Sequence, residues 1–434
     1  MSSKVHWLHG EIEAWQRDGV IAPELAERLR GRYPLTGRGS RSAALIGFAV
    51  LGALLIGGGI ILLLAHNWAD LSRPMRTAVA LAPLVAAQLL ALFGALRGST
   101  GAGWREGLGV FWTLSIGGAI AMVSQIYHLS GSYDSFMLTW MLLALPVVYV
   151  MRSSLTAILY LAGVLAWSVP LTGDLPRVLG YWPLTLAVVP LLLRSSRQGV
   201  FTSGLALLRW VLTASILTGV GLTLARALPG LWMVIYAALI SVLYLADLHL
   251  LRGAPSLWHR PMRVAGTWGC VVLSLMLTYE WPWRHIGWRY WHTELPAWQQ
   301  LMDAGFTLGL MGAAVVLLVA LRKRLSANDW FPALFFLIAL AGYFLTAQWG
   351  HSVGALLVFN LFVFAYGIAL LGAGVRRGSL ARVNAGMLLL ASVVTLRFFD
   401  GDMSLITRGI VFVVLGAVFL SVNVILSRRF RSAS

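Results

Sequence analysis

The sequence has few charged residues and a single cysteine. Charged residues make up 11% of its 434 positions, whereas a soluble domain carries roughly 25%. Hydrophobic residues reach 59%, so we predict an integral membrane protein rather than a set of soluble domains. Because Cys270 has no second cysteine to pair with, the sequence excludes an intramolecular disulfide and a multi-thiolate metal site.

The common catalytic motifs are missing as well. The sequence contains no Gly-x-x-x-x-Gly-Lys, no His-Glu-x-x-His, no Gly-x-Ser-x-Gly and no Cys-x-x-Cys. We therefore predict no catalytic residues and no cofactor. Acidic residues are also missing from the centres of the apolar stretches, which argues against a proton-coupled carrier of the ordinary carboxylate type.

Apolar stretches of membrane-spanning length recur along the chain. A spanning helix needs about 20 residues, and lipid offers no partner to an exposed strand edge, so the spans must be helices. Prolines interrupt the fifth and sixth stretches, which could instead form a broken or re-entrant pair. The sequence predicts an all-α bundle of fourteen transmembrane spans, at residues 43–65, 77–96, 107–128, 135–151, 153–170, 178–193, 209–226, 231–251, 264–280, 301–321, 330–347, 352–374, 380–397 and 405–427.

The basic residues fall mostly on one side of this arrangement. With the N-terminus placed inside, 25 of the 33 Lys and Arg residues lie inside, whereas the 16 acidic residues divide equally. The whole formal charge of +17 then lies on the inner face, as the positive-inside rule requires of a cytoplasmic face. Such a face favours anionic lipid headgroups as partners. Nucleic acid is not expected to bind, because the arginines are scattered among short loops.

The first 42 residues are polar and are predicted to form a cytoplasmic amphipathic helical hairpin. Asp18-Gly19 is a turn signal, and Pro23 suits the first turn of a second helix. The membrane bundle would follow at 43–427, with halves 43–226 and 231–427, and residues 428–434 would form a basic tail. The apolar positions of the hairpin recur at helical spacing and are Val5, Leu8, Ile12, Trp15, Leu25, Leu29 and Tyr33.

Two resemblances involve this N-terminal part. The segment from Trp15 to Leu29 resembles the short helical oligomerisation hairpins called SHOCT domains; the alternative is a capping hairpin with no partner. Three motifs are Trp15…Gly19-Val20-Ile21, Ala65-His66-Asn67-Trp68 and Ser124-Gln125-Ile126-Tyr127-His128-Leu129-Ser130-Gly131. Together they resemble, over about residues 8–155, the bacterial predicted membrane proteins of domain-of-unknown-function family two-one-five-seven. The resemblance implies no activity, but it implies a protein partner, because members often accompany a second multi-pass protein.

Polar residues gather where the first and third predicted spans end on the outer side. His66 departs from the family motif, which commonly has a second alanine there, so it is not taken as a family site. Glycines in both spans would let the helices approach each other closely. We predict a substrate-binding pocket that opens outward between these spans; the alternative is a set of interfacial residues satisfied by water and headgroups. The candidate residues are His66, Asn67, Asp70, Gln125, Tyr127, His128 and Asp134.

Other polar residues give weaker signals. Asp400 and Asp402, in the last outer loop, are candidate ligands of a divalent metal ion, although a bare Asp-x-Asp also arises by chance. Asp247 is expected to pair with Arg252 near the inner interface. The tryptophan-rich loop 281–300 would lie at headgroup level, either as an interfacial helix or as a lid over a polar headgroup.

A short motif occurs twice and hints at an internal repeat. Residues 73–76 and 260–263 both read Arg-Pro-Met-Arg and precede the second and ninth predicted spans. Since seven spans separate the copies, the second half would be inverted, an arrangement characteristic of transporters. We therefore predict a 7+7 inverted repeat as one organisation of the bundle.

These features favour transport or translocation of a small polar or lipid-linked solute across a bacterial inner membrane, with both termini in the cytoplasm. One alternative is a non-catalytic membrane subunit that docks a protein partner through its hairpin or outer face. Another is an outer-face enzyme that acts on a lipid-linked substrate. A cavity reaching the midplane would favour transport, and a solid core with an exposed apolar flank would favour the subunit.

Overall fold

The computed structural model describes residues 2–32, 70–98, 101–224, 229–286 and 295–399, together with Trp68 and four single positions near the C-terminus. The first and last predicted spans, 43–65 and 405–427, lie outside these ranges. Every regular element in the described ranges is a helix. The chain divides into two compact units, Met1–Val79 and Ala80–Ser434.

The first unit begins with a helical hairpin. Helices α1 (Ser2–Arg17) and α2 (Pro23–Arg32) pack against each other. Gly19 takes a left-handed φ of 72° in the turn, a conformation that glycine adopts without a Cβ clash. Ile12 and Ala26 are fully buried, whereas Leu25, which the periodicity assigned to the buried face, is half exposed.

The remaining helices alternate with short connections. Ten segments among them are long and apolar enough to cross a membrane, and each coincides with a predicted span. Helices α12 and α16 are not among these ten and lie at the ninth and thirteenth predicted spans. The helices are α3 (Arg73–Leu96), α4 (Ala102–Tyr127), α5 (Tyr133–Met151), α6 (Ser154–Ser168), α7 (Leu175–Val178), α8 (Tyr181–Leu186), α9 (Val189–Arg197), α10 (Ser203–Thr223), α11 (Leu231–Leu250), α12 (Pro261–Met276), α13 (Ala297–Leu321), α14 (Trp330–Trp349), α15 (Val353–Arg376) and α16 (Leu380–Phe399).

This arrangement is that of a multi-pass membrane protein. The count of fourteen stays a prediction, because two of the spans are outside the described residues, and the 7+7 repeat stays one too. Helix α11 is the most buried span, with 72% of it inside the bundle, and it contacts α12, α13 and α14. Helices α3 and α13 bury only 17% each, so most of their apolar surface faces lipid.

The sixth predicted span is a broken helix. It consists of three short helices, α7, α8 and α9, with a proline near the start of α7 and of α9 and Pro183 within α8. Neighbouring tyrosines satisfy the carbonyls freed at the last break: Tyr160 donates to the Leu184 carbonyl at 3.0 Å, and Tyr149 donates to that of Ala187. The fifth predicted span, in contrast, is a regular helix, α6.

The aromatic loop is only partly described, and one of its rings is not interfacial. Trp283 is buried in the core that α11, α12, α14 and α15 share, where its ring lies 5.5 Å from that of Phe359. Its indole N–H donates to the Leu277 carbonyl at 2.9 Å. Trp283 therefore packs inside the protein rather than on its surface, while Trp281 and Trp298 are exposed.

Helices α15 and α16 approach each other at backbone distance, because glycines face the contact. A Cβ at Gly386 would lie 2.6 Å from the Leu371 nitrogen, and one at Gly374 would lie 2.6 Å from the Val383 nitrogen. Small residues allow such close packing between membrane helices.

Gly386→Ala should therefore destabilise the bundle. The added methyl group meets backbone atoms that cannot rotate away, and overpacking of this kind costs about 1–3 kcal/mol. Gly309→Ala in α13 is the matched control, because a Cβ there meets nothing within 4 Å and alanine is the better helix former. Thermal unfolding in detergent should show a lower midpoint for Gly386→Ala alone; equal midpoints would contradict the tight contact.

Candidate functional site

An apolar groove runs between helices α3, α4 and α5. It has a volume of about 470 Å³, within the range of roughly 300–1,000 Å³ that ligand pockets occupy. Leu81, Leu143 and Val150 are exposed at its edges, so it opens on the outer surface of these helices. Its lining is apolar except for a few groups and consists of Leu81, Leu84, Gln88, Trp112, Ile116, Ala119, Ile120, Val123, Ser124, Leu129, Leu143, Pro146, Val147 and Val150.

Packing between α4 and α5 fixes the floor of the groove. The Trp140 ring lies directly against Gly117, where a Cβ would come within 2.5 Å of it, and its N–H donates to the Thr113 carbonyl at 2.7 Å. Ile116 and Val147 are buried in the same cluster. The groove reaches Ile116, close to the midpoint of α4, and it lies between three helices.

One end of the groove meets the polar segment that follows α4. Ser124 and Leu129 line the groove and belong to the motif singled out in the sequence. His128 ends the helix with a left-handed φ of 53°, and its backbone N–H bonds to the Ser124 carbonyl. The side chains of Gln125, Tyr127 and His128 are exposed at this end. We call these three residues the polar rim.

The structure accounts for part of the predicted outward pocket. Asp134 is half-buried and lies 3.8 Å from the Arg177 guanidinium. Asp70 is exposed and belongs to the N-terminal unit. His66, Asn67, Asp400 and Asp402 lie outside the described residues. A pocket between the first and third predicted spans therefore stays a prediction, and so does a metal site at the last outer loop. Within the described ranges, no group of three or more His, Cys, Asp or Glu residues could hold a metal ion.

A buried charge network lies where α11 ends and α12 and α14 begin. Asp247 is fully buried, and its Oδ1 accepts from Arg260 at 2.6 and 2.7 Å, while the Arg263 backbone N–H bonds to Oδ2 at 3.2 Å. The predicted partner, Arg252, donates instead to the Leu248 carbonyl of its own helix. Asp247 therefore pairs with the next helix, through the second Arg-Pro-Met-Arg motif.

The network continues through Asp329 at the start of α14. Its carboxylate accepts from the Tyr244 hydroxyl and from the Ser326 backbone and hydroxyl, and it lies 3.7 Å from Arg263. Three helices are thus joined through charged groups. Sequence reasoning missed this cluster because its members come from separate spans.

Another carboxylate, that of Glu106, joins α4 to the start of α6. It accepts from the Ser153 hydroxyl at 2.6 Å and from the backbone N–H groups of Ser154 and Leu155 at 2.9 and 2.7 Å. The Ser153 hydroxyl oxygen accepts from the Thr156 N–H, and the Ser153 carbonyl accepts from the Ala157 N–H. The open N–H groups of the first three helical residues, Ser154, Leu155 and Thr156, are thereby satisfied.

Comparisons with curated proteins and with solved structures yield no match. A family model does match, over residues 13–157, which is about a third of the chain. That region begins within α1, includes the three groove helices and ends in α6. The Glu106 contacts and the polar rim lie inside it as well. Over this region the chain is similar to the family described as predicted membrane protein (DUF2157).

Proposed function

We propose that the protein translocates a polar group attached to a lipid across the bacterial inner membrane. The apolar groove would hold a hydrocarbon chain, and the polar rim would hold the headgroup. The observation that carries this proposal is the continuity of the two: the groove ends at Ser124 and Leu129, next to Gln125, Tyr127 and His128.

The chemistry of the groove supports a lipid rather than a free polar solute. Its exposed lining is overwhelmingly apolar, and Gln88 and Ser124 are among its few polar contributors. A water-soluble solute would lose its hydrogen bonds to water there, at a cost of about 1–3 kcal/mol for each unsatisfied group. An acyl chain carries no such groups, and it can enter through the lipid-facing edge.

Filling the groove should block translocation. In proteoliposomes, the probe is a phospholipid with a fluorescent headgroup, whose transfer between leaflets is followed by quenching from outside. Leu84→Trp places an indole in the groove, whereas Leu89→Trp, on the exposed surface of the same helix, leaves it open. We expect Leu84→Trp to slow transfer severalfold and Leu89→Trp to match the unsubstituted protein.

The polar rim provides the second arm of this experiment. Because Gln125 is exposed, replacing it by alanine should change the free energy of unfolding by no more than about 0.5 kcal/mol, and His128→Ala, at the left-handed helix cap, should change it by about 1 kcal/mol at most. Transfer should nevertheless slow. A normal rate in Leu84→Trp and in both rim variants would refute the proposal, as would a rate no faster than in protein-free liposomes.

We also propose that both termini are cytoplasmic, as the distribution of basic residues supports. The test uses a Cys270→Ser background, in which a single new cysteine replaces Ser2 or Ser434. An impermeant thiol reagent added to intact spheroplasts should label neither position, and lysis should expose both. Labelling at either position before lysis would overturn this orientation.

A second candidate function is that of a subunit that docks a protein partner. The observation that favours it is the exposed apolar surface of the hairpin, where Val20 is 69% and Leu25 is 47% exposed. Val20→Glu should then abolish self-association or binding of a second membrane protein, with lipid transfer unchanged. If Val20→Glu instead slows lipid transfer and leaves association unchanged, the result favours the translocation function.

A further inference from the structure

A buried arginine lies inside helix α10. Arg209 is only 3% exposed, and it is six positions from the start of the helix, which corresponds to about 9 Å along the axis. A charged side chain at such a depth is costly unless other groups compensate it.

The described neighbours compensate Arg209 only in part. Its Nη2 donates to the hydroxyls of Ser196 at 3.1 Å and Ser195 at 3.3 Å, and its guanidinium lies 5.2 Å from the centre of the Phe201 ring. Its Nε and Nη1 are buried and have no hydrogen-bond partner among the described residues.

The carboxylates of the charge network at the end of α11 are already engaged. Asp247 is held by Arg260 and by the backbone of Arg263, and Asp329 is held by Tyr244 and Ser326. Among the described residues, no carboxylate forms an ion pair with Arg209, so its positive charge is not neutralised.

A cavity of about 140 Å³ adjoins this guanidinium. An apolar cavity of roughly 150 Å³ is large enough for benzene, so this one is large enough for a small tetrahedral anion. It lies between α9, α10, the end of α11 and the start of α12. Arg209, Ser196 and Thr213 are its polar lining residues, and the others are Val189, Leu192, Leu193, Leu212, Ile216, Leu250, Leu251 and Met262.

We propose that Arg209 binds a phosphate group in this cavity. Hydrogen bonds between a guanidinium and an anion are among the strongest in proteins, and Nε and Nη1 are free to donate them. The Ser196 hydroxyl, which accepts from Nη2, can donate its own hydrogen to the same ligand. A phosphate oxygen can accept from one of these two guanidinium N–H groups, and a second oxygen of the same phosphate can accept from the Ser196 hydroxyl.

The phosphate can belong to an anionic phospholipid or to free inorganic phosphate. The cavity lies at the end of the bundle where Arg194 and Arg197 close α9, and basic sites between membrane helices on the cytoplasmic side bind anionic headgroups. The cavity is too small for acyl chains, so only the phosphate end of a lipid would enter. This site is separate from the groove between α3, α4 and α5 and does not depend on the function proposed for it.

The test measures thermal unfolding of the full-length protein in neutral detergent. Three additions are compared: phosphatidylglycerol in mixed micelles, phosphatidylcholine in equal amount, and inorganic phosphate against chloride of equal ionic strength. We expect a saturable rise of several degrees with phosphatidylglycerol, with phosphate or with both, and none with phosphatidylcholine. A rise with phosphatidylglycerol alone identifies the lipid as the ligand, and a rise with phosphate shows that the free ion suffices.

Arg209→Gln should weaken binding about tenfold or more, since it removes charge-assisted hydrogen bonds. Arg252→Gln is the matched control, because Arg252 is exposed at the same end of the bundle and donates to its own helix. An equal rise in Arg209→Gln, or no rise in the unsubstituted protein, would overturn the proposal. Should Arg209→Gln fail to fold, Leu193→Phe keeps the arginine and fills the cavity. Undiminished binding by that variant would also overturn it.

Discussion

Asp247→Ala is expected to lower the free energy of unfolding by about 3–5 kcal/mol, the cost of breaking a buried ion pair by removing one partner. The Asp247 side chain has no exposure, and that of Arg260 has 14%. Once the carboxylate is gone, Arg260 keeps its charge in a place that water hardly reaches. The Arg263 backbone N–H loses its acceptor at the same time. Arg263 lies in the first turn of α12, and Arg260 immediately precedes that helix.

Two variants make this prediction specific. Asp174→Asn removes a carboxylate from an ion pair with Arg177 whose side chains are 45% and 66% exposed, and such pairs contribute about 0–1 kcal/mol. Asp247→Leu combined with Arg260→Leu should recover much of the lost stability, because apolar pairs often replace buried ion pairs without cost. Denaturation in detergent gives the comparison. A loss in Asp247→Ala no larger than in Asp174→Asn would contradict the account of the network.

Glu106→Ala is expected to cost about 3 kcal/mol or more, because hydrogen bonds to a charged group contribute about 1.5–3 kcal/mol each and three are lost. Ser154 and Leu155 then begin α6 with two N–H groups whose acceptor is gone. The contact between α4 and α6 loses its only described carboxylate as well. The total loss of stability should be less than three times the contribution of one hydrogen bond, because the three hydrogen bonds share one carboxylate and their contributions are not additive.

The comparison for this prediction is an ordinary helix cap. Thr202 accepts from the Leu205 N–H at the start of α10, and Thr202→Ala should cost about 0.5–2 kcal/mol. Glu106→Gln should fall between the two, because an amide keeps one acceptor oxygen and has no charge. If Glu106→Ala and Thr202→Ala have the same unfolding midpoint, Glu106 is an ordinary cap and does not join α4 to α6.

The sequence predicted the helices well and the contacts between them poorly. Length and hydropathy located α3, α5, α11 and α14 to within a few residues, because the requirements of the bilayer act on each span separately. The interruption of the sixth span was visible in its prolines. The partner of Asp247 was not visible in the sequence, because Arg252 is nearer along the chain. The turn into α12 brings Arg260 back to Asp247.

The two candidate sites show where sequence reasoning fails. The predicted span at 209–226 begins at Arg209, but α10 begins six residues earlier, at Ser203, so the charge lies inside the helix. An error of six residues at a helix boundary thus concealed a buried cation. The groove was missed for another reason: it depends on which side chains of three helices leave space between them. The sequence indicated only the polar rim at its end.

The broken sixth span has a consequence for biogenesis. A helix that enters lipid with its own carbonyls unpaired needs hydrogen-bond donors from elsewhere, and Tyr149 and Tyr160 supply two of them. Both tyrosines precede the break in the chain, so they have left the ribosome before residues 184–187 do. The other side-chain contacts of this span, from Tyr181 to Ser215 and from Trp182 to Thr223, wait for α10. The segment can thus form hydrogen bonds first with helices α5 and α6, which precede it in the chain, and later with α10.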